Sequence, residues 1–370
     1  MRFPEFDGEW EKCSLGEIGH TSIGLTYSPA DVVKEDGIIV LRSSNIQDGE
    51  IDYKDLVRVN KKIKDSLFTK KDDILICARN GSPRLIGKNA LISDVDAGHS
   101  YGAFMMVYRS EENPFVRQLL CTKRYFAQVG ENLGARINQI TTSDMNSFEF
   151  FFPQSKEERN KIALFLRIID ERISTQKKII EKYESLIRGI YQFLFQQAKY
   201  DHFVSLGDIS QISNGNSDVK DASMYNDGSL YPFFDRSDEI KFLPEYLFDK
   251  EAIIYPGEGA EFYPRYYNGK FALHQRCYAV YDISTDFIPR YLYHYCRTQN
   301  SYFVRNAVGS TVASLRLDTF KRLKIPAIPT HHQESLVMFL DKIEAKIECN
   351  RTILKKYEEQ KKYLLFTLFI

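Results

Sequence analysis

The chain has 370 residues, equal numbers of basic and acidic residues, and 43% apolar side chains. This length suggests two or more domains, and the composition is ordinary for a globular protein rather than a disordered or fibrous one. No apolar run approaches the roughly 20 residues that a membrane helix needs, and the start MRFPEFDGEW has no apolar signal core, so the sequence predicts a cytoplasmic protein that does not enter a membrane.

Residues 1–155 are predicted to form a first domain of short strands, turns and short helices. GIIVLRSSNI is typical of a strand that runs into a polar turn, and DDILICARNGSPRLIGKNALI of two strands joined by a glycine-containing loop. Arginine and asparagine can bond base edges in a bidentate manner, whereas lysine and serine favour phosphates. The candidate DNA contacts of this domain are Arg42, Ser43, Asn45, Arg79, Asn80, Ser82, Arg84 and Lys88.

Residues 156–200 are predicted to form a first long helix. Apolar positions recur at alternating steps of four and three residues, which is the heptad pattern of a coiled coil. The predicted seam contains Ile162, Leu166, Ile169, Ile173, Gln176 and Ile180. A solitary helix would leave this stripe in water, so the pattern predicts a partner helix.

Residues 201–330 are predicted to form a second domain of the same plan. EAIIYPGEGAEFYPRYYNGKFALHQRCYAVY again indicates a strand, a glycine-containing loop and a strand, and Arg236-Ser237 is interpreted as an echo of Arg42-Ser43. Cationic and aromatic side chains are combined here, which suits a nucleic-acid surface, although a solvated basic face is an alternative. The candidate DNA contacts are Arg236, Ser237, Arg265, Tyr266, Tyr267, Lys270, His274 and Arg276.

Residues 331–370 are predicted to form a second long helix that repeats the first. Its seam contains Leu340, Ile343, Ile347, Asn350 and Leu354, and KYESLIRGIYQFLF recurs 174 residues later as KYEEQKKYLLFTLF. Two such helices can cover each other, so the sequence predicts an α+β protein in which two mixed domains are separated by an antiparallel coiled coil, with a pseudo-two-fold internal repeat. The polar seam positions Gln176 and Asn350 are predicted to face each other and to fix the register.

No group of residues has the spacing of a catalytic centre. GSPRLIGKN separates its glycines by five residues and lacks the Ser or Thr of a phosphate-binding loop, and Asn113-Pro114-Phe115 lacks the second proline of an amino-methyltransferase turn. The six cysteines are scattered without a C-x-x-C pair, which argues against a zinc cluster. The sequence therefore predicts a non-catalytic protein with no cofactor and no metal.

The order of the motifs resembles the specificity subunit of Type I restriction–modification enzymes. The resemblance rests on FPEFDGEWEKCSLGEIG and its echo VSLGDISQISNG, and on two proline-then-helix stretches, FFPQSKEERNKIALFL and AIPTHHQESLVMFL. It implies two target-recognition domains that read an asymmetric, bipartite sequence of double-stranded DNA. It also implies that the helices act as a spacer that docks methyltransferase subunits, and that a restriction nuclease/translocase subunit joins the full complex.

Two other functions are compatible with the same residues. One is a specificity subunit of a Type IIB-like restriction system, which would use the same body with other partners. The other is a protein-interaction scaffold without a DNA role, which the acidic segment 201–261 and the zero net charge favour and the Arg/Asn loops oppose.

Overall fold

The computed structural model of the protein describes residues 2–133, 138–197 and 200–369. The chain divides into two compact units, one formed by Met1–Gln176 with Ile353–Ile370 and the other by Lys177–Thr352. The division passes through both long helices, so each unit contains part of each helix. The domain boundaries predicted at the helix ends stay a prediction.

The first unit is built on two four-stranded sheets. In one, His20–Ile23, Met105–Arg109, Ile74–Cys77 and Asn89–Leu91 are neighbours in that order, and every pair is antiparallel. The other has the strand order Ser100–Tyr101, Ile38–Leu41, Val57–Val59, Val32–Val33, with the first pair parallel. Two-stranded pairings are Trp10–Ser14 with Glu149–Pro153 and Ile46–Gln47 with Glu50–Ile51. The α-helices that belong wholly to this unit are Leu15–Ile18, Asn113–Leu119, Lys123–Leu133 and Thr142–Ser147.

The second unit joins the corresponding strands into one six-stranded sheet. Its strand order is Gln211–Asn214, Cys277–Tyr281, Phe248–Pro256, Arg265–Leu273, Tyr231–Phe234, Lys241–Leu243. The contact between Tyr231–Phe234 and Arg265–Leu273 is parallel, and the other pairs are antiparallel. Phe203–Ser205 pairs with Lys324–Pro326, as the outer strands do in the first unit. The α-helices that belong wholly to this unit are Leu206–Ile209, Pro289–Arg297, Asn300–Asn306 and Leu317–Lys321.

The central strand of each unit is buried on both faces. Side chains alternate across a strand, so Ile74 and Ile76 enter the core shared with the helices, whereas Leu75 and Cys77 enter a second cluster behind the sheet. The strand Phe248–Pro256 behaves in the same way, with successive residues in two different clusters. These continuous apolar runs therefore hold the loops that follow them at fixed positions.

The long helices are Lys156–Tyr191 and Thr330–Leu368, and a π-helical turn, Gln192–Gln197, follows the first. The π-helical turn interrupts the single long helix that the sequence predicts over 156–200. In the first unit, Ile162, Leu166 and Ile169 share a core with Leu364 and Leu368. No helix of the described residues is long and apolar enough to cross a membrane.

The helix segments run antiparallel within each unit. In the first, Lys361 forms an ion pair with Asp170, and the guanidinium of Arg172 lies 6.0 Å from the ring centroid of Tyr357. One residue number rises as the other falls, which only an antiparallel pair allows.

The same direction holds in the second unit. Arg351 Nη2 lies 2.7 Å from Glu184 Oε1, and Tyr191 Oη lies 3.2 Å from Glu344 Oε1. The predicted antiparallel pairing is therefore confirmed in each unit by itself.

Most predicted seam residues are interior. Those buried are Ile162, Leu166, Ile169, Gln176, Ile180, Leu340, Ile347 and Asn350, and those half-buried are Ile173, Ile343 and Leu354. The two polar positions are thus buried, as a register-fixing layer requires, and Asn350 Nδ2 donates to Lys346 O at 2.6 Å. Their mutual contact stays a prediction.

Candidate nucleic-acid interface

In the first domain, the loops that follow the strands Ile38–Leu41 and Ile74–Cys77, one from each four-stranded sheet, come together. Asn80 follows the strand Ile74–Cys77, and its Nδ2 donates to Ser43 Oγ at 3.0 Å. The guanidinium carbon of Arg79 lies 5.1 Å from the ring centroid of Phe104, which is more than half exposed. The cluster presents an exposed cation, an exposed ring and two small polar groups, which suits an interface with stacked bases and phosphates.

The turn that contains Arg42 is held from inside by Asn45. Asn45 is completely buried, its Nδ2 donates to Asp52 O at 2.9 Å and Asp55 O at 2.8 Å, and its Oδ1 accepts from the Arg42 backbone at 2.9 Å. Arg42 Nη2 forms an ion pair with Asp55 at 2.7 Å. The predicted base contact of Asn45 is therefore corrected: its amide shapes the loop and, being completely buried, is not accessible to a ligand.

Three further predicted residues lie on the glycine-containing loop of the first domain. Arg84 is exposed in the 3₁₀ turn Pro83–Leu85, which proline initiates. The Ser82 backbone N–H donates to Asn80 Oδ1 at 3.0 Å. Lys88 Nζ is 3.4 Å from Gln47 Oε1. Arg84 is thus the most accessible cation of this loop beside Arg79.

In the second domain, two predicted arginines converge on an acid that the sequence-based prediction missed. Arg276 Nη1 donates to both carboxylate oxygens of Glu258, at 2.9 and 3.0 Å, and Arg236 Nη1 donates to Glu258 Oε2 at 3.0 Å. The prediction rested on cations and aromatic rings, so it passed over the glutamate in PGEGAEF. Its position between two glycines was the available signal.

Other predicted residues of the second domain are engaged within the fold. Arg265 donates to the carbonyl oxygen of Ser237 and lies with its guanidinium carbon 5.8 Å from the ring centroid of Phe234. The Ser237 hydroxyl donates to Asp235 Oδ1 at 2.6 Å. These contacts fix the loop that carries Arg236.

The aromatic candidates of this domain belong to the strand Arg265–Leu273 and contact neighbouring side chains. The Tyr266 hydroxyl donates to Glu251, and the ring centroid of Tyr267 lies 5.2 Å from that of Phe234. Lys270 is exposed, with its Nζ 4.9 Å from the ring centroid of Tyr246. Lys270 therefore remains a candidate contact, whereas both tyrosines are half-buried and act first as packing groups.

His274 is in the interior. Its Nδ1 accepts from the Arg276 backbone N–H at 3.1 Å, and burial lowers the pKa of the imidazole. A neutral, buried ring cannot provide the phosphate-binding cation that the sequence suggests. The predicted DNA contact of His274 is corrected accordingly: the ring orders the turn that carries Arg276.

Backbone hydrogen bonds show which positions of the two domains correspond. Leu41 O and Phe234 O end equivalent strands, and each accepts a backbone hydrogen bond of 2.9 Å from the residue that follows the parallel neighbour strand. The next residue is Arg42 in the first domain and Asp235 in the second. The interpretation of Arg236-Ser237 as the echo of Arg42-Ser43 is therefore wrong by one position.

A second pair of hydrogen bonds aligns the neighbouring loops. Ala78 N donates to Phe104 O, and Gly257 N donates to Arg276 O, both at 2.9 Å. The residue after Ala78 is an arginine, and the residue after Gly257 is Glu258. One framework thus presents a cation over an aromatic ring in the first domain and an acid beneath an arginine in the second.

A separate cluster of potential metal ligands lies where the helix Pro289–Arg297 meets the second long helix. Ligand atoms of His294, Asp341 and Glu344 lie within 4.8 Å of one another. Arg290 forms ion pairs with both carboxylates, and Arg297 with Glu344. Because guanidinium groups already neutralise the acids, the cluster is best described as an ion-pair network that attaches the domain to its helix.

The tautomer of His294 follows from its partners. Nε2 lies 2.8 Å from Asp341 Oδ1 and therefore donates, whereas Nδ1 lies 2.8 Å from the Tyr191 hydroxyl and accepts. Burial lowers the pKa of this completely buried imidazole. Burial alone would raise the pKa of Asp341, but hydrogen bonds from Arg290 and His294 outweigh it and lower that pKa.

Comparison with protein families gives a match over most of the chain. The model described as "Type I restriction modification DNA specificity domain" matches residues 7–185 and again residues 200–359. The chain is 28% identical over 185 residues to the Type I restriction enzyme EcoKI specificity subunit of Escherichia coli (strain K12), and 26% identical over 199 residues to the StySPI specificity subunit of Salmonella potsdam. These matches cover 47% and 51% of this chain and 38% and 41% of the relatives.

Solved structures share the fold along the whole chain. The S subunit of a Type I restriction–modification system from M. genitalium has a TM-score of 0.71 at 16% identity, covering 100% of this chain and 99% of that one. A chain from a study of complex assembly and conformational transition of the type I R-M system has a TM-score of 0.52 at 14% identity, covering 98% and 97%. At these identities the likeness concerns the fold alone.

Proposed function

The chain belongs to the Type I restriction–modification DNA specificity domain family, and from this premise we propose that it is the DNA specificity subunit of a Type I restriction–modification complex. The observation that carries the proposal is the repeat itself: two copies of the family domain, each with exposed arginines on loops at the ends of buried strands. Because the loops differ in chemistry, the two half-sites differ, and the target is asymmetric and bipartite.

The long helices support a spacer role. They comprise 36 and 39 residues, so each is about 55 Å long at 1.5 Å per residue. We propose that the length of these helices sets the separation of the half-sites, as symmetry does in dimeric DNA readers. We propose that the same helices dock methyltransferase subunits and that a restriction nuclease/translocase subunit completes the complex.

The chain itself is proposed to be non-catalytic. Its candidate interface contains arginines, amides and aromatic rings in positions suited to base and phosphate contact. Methyl transfer and cleavage would therefore belong to the partner subunits.

Exposed arginines of the first domain provide the direct test. Replacing Arg79 and Arg84 together by alanine is expected to weaken binding to the selected target by about 1–3 kcal/mol for each arginine that bonds a base edge. The matched control is Arg124→Ala, since Arg124 is also exposed and lies 5.0 Å from a phenylalanine ring centroid, but on the helix Lys123–Leu133. Equal affinities of the double variant and wild type would remove this loop from the interface.

Binding and genome measurements separate the proposal from its alternatives. Affinity of the full chain for DNA, with and without methyltransferase subunits, should fall steeply with salt because phosphate contacts release counterions. If the chain has no affinity for DNA either with or without methyltransferase subunits, the protein-interaction scaffold would be the remaining function. Mapping methylated positions in the host genome should reveal one interrupted, asymmetric motif, and the genes beside this one would distinguish a Type I system from a Type IIB-like one.

A further inference from the structure

Glu258 is held at the end of the central strand of the second domain by an unusually complete set of backbone contacts. Gly257 N donates to Arg276 O at 2.9 Å, Leu315 N donates to Gly257 O at 2.8 Å, and Gly259 N donates to Ala313 O at 3.0 Å. A Cβ on Gly257 would lie 2.1 Å from Arg276 O. The loop backbone therefore has little freedom, and Glu258 projects from a fixed position.

The carboxylate of Glu258 is largely covered, whereas its two partners are not. The side chain of Glu258 is 16% exposed, that of Arg236 50% and that of Arg276 58%. Both arginines use Nη1 for the carboxylate. The Nη2 and Nε donors are thus the groups with which each guanidinium can meet a ligand.

Holding a guanidinium in this way favours orientation over raw affinity. The planar fork of arginine loses less freedom per hydrogen bond once a carboxylate has fixed its plane. A carboxylate between two arginines also lowers the local charge to one positive unit, which weakens non-specific attraction to phosphates. Such an arrangement suits the reading of a base edge, where geometry decides, more than phosphate binding, where charge decides.

We propose that Glu258 is a positioning residue that preorganises Arg276 and Arg236, and that the Arg276 fork reads a guanine in the major groove of the second half-site. Guanine presents the two acceptors O6 and N7 side by side, which matches two parallel donors of arginine. This inference rests on the proposed function. It assigns a role to Glu258, which was not among the predicted contacts, and it names guanine as a base of the second half-site.

The first domain has different chemistry at the same place in the framework. Arg79 occupies the position of Glu258, and Phe104 occupies the position of Arg276, as their shared backbone hydrogen bonds show. The guanidinium there is oriented by a ring face rather than by an acid. The acid is therefore not needed for the framework to fold, which leaves orientation of Arg236 and Arg276 as its role.

The test compares Glu258→Gln with Glu261→Gln in the full-length chain. Glu261 is an exposed glutamate of the same loop, so both variants remove one negative charge. A randomised duplex library first defines the target of the wild type. Affinities are then measured for that target, for an unrelated duplex, and for target duplexes in which single guanines are replaced by 7-deazaguanine, which lacks the N7 acceptor.

Glu258→Gln is expected to bind the unrelated duplex more tightly and the target more weakly, so that the specificity ratio falls by about tenfold to a hundredfold, the range for one bidentate contact. Glu261→Gln should raise both affinities and keep the ratio. For the wild type, replacing one particular guanine of the target by 7-deazaguanine should weaken binding strongly. For Glu258→Gln, the same replacement should have little effect on affinity. Arg276→Lys, which keeps the charge but not the fork, should lose the dependence on N7 as well, with an unchanged melting temperature.

Three results would overturn the inference. They are an unchanged specificity ratio in Glu258→Gln, equal behaviour of the two glutamine variants, and a wild-type target in which no guanine depends on N7. None of these results would contradict the proposed function, which fails only if the wild-type chain selects no sequence from the library.

Discussion

The two recognition domains share a backbone framework and differ in the side chains that it presents. In the first, Arg79 lies over Phe104, and in the second Glu258 lies beneath Arg276, although the same pair of backbone hydrogen bonds holds both loops. The backbone hydrogen bonds and the buried strands do not depend on which side chains the loops expose. Substitutions in the loops can therefore change the exposed chemical groups without moving the loop backbone. Under the proposed function, this separation would let one fold read two unlike half-sites.

The same contrast appears where each domain meets its helix. Gln118 Nε2 lies 3.4 Å from Asp170 in the first unit, whereas His294, on the corresponding helix of the second, forms close contacts with Asp341 and Tyr191. At these two positions the domain presents an uncharged amide in the first unit and a titratable imidazole in the second. The two units should therefore respond differently to acid although their architecture is the same.

The largest expected effect comes from the helix seam, which is the part that the units share. Leu166 and Leu340 occupy equivalent positions 174 residues apart, and both are completely buried. Replacing either by alanine should destabilise its own unit by about 2–5 kcal/mol, since it leaves a cavity in a packed core. Amide hydrogen exchange, followed separately for the residues of each unit, measures the loss of stability in that unit.

Exposed apolar residues of the same helices are the controls for that experiment. Leu164 and Met338 are about half exposed, so Leu164→Ala and Met338→Ala should change stability little. A Leu166 variant as stable as the wild type would contradict the assignment of the seam.

An intermediate effect is expected where the two frameworks diverge in glycine content. Gly257→Ala should destabilise the second unit by about 1–3 kcal/mol, because the new Cβ overlaps the Arg276 carbonyl oxygen. The reverse change in the first unit, Ala78→Gly, should cost about 1 kcal/mol, through backbone entropy and the loss of a buried methyl group. Chemical denaturation of both variants measures the difference, and equal destabilisation would show that the two loops are not as distinct as their packing indicates.

The smallest effect concerns pH. Since burial lowers the pKa of His294 in the folded unit, the unfolded chain binds the proton more readily, and stability should fall as pH drops below about 6.5, the ordinary pKa of histidine. The groups that face the ring are Tyr191, Tyr293, Asp341, Glu344 and Arg290. His294→Gln places an amide in the second unit where the first unit has the amide of Gln118.

The variant should lose part of the acid sensitivity of the second unit. Asp341 keeps a contribution of the same sign at lower pH, because its pKa is also lowered, and His274 keeps another near neutrality. Thermal melting of wild type and variant between about pH 7 and about pH 5 checks this. Parallel curves for the two proteins would assign the acid response to other groups.

The candidate interface shows where prediction from sequence stops. The positions of Arg79, Arg84 and Arg276 on exposed loops agree with the prediction, since glycine and polar residues after a buried apolar run indicate a surface loop. Lys270 is also exposed, but it lies within the strand Arg265–Leu273. Asn45 and His274 have the same residue types as good DNA contacts, yet they are buried. Their burial depends on carbonyl groups and strands distant in the sequence, which no local pattern reveals.

The sequence by itself determined the repeat, the heptad seam and the plan of strand, loop and strand, because periodicity and internal similarity can be seen directly in the order of the residues. The tertiary structure decided which loop residues face solvent, that Glu258 lies between Arg236 and Arg276, and which positions of the two domains correspond. Those facts depend on hydrogen bonds between strands far apart along the chain, and only the folded backbone brings such strands together.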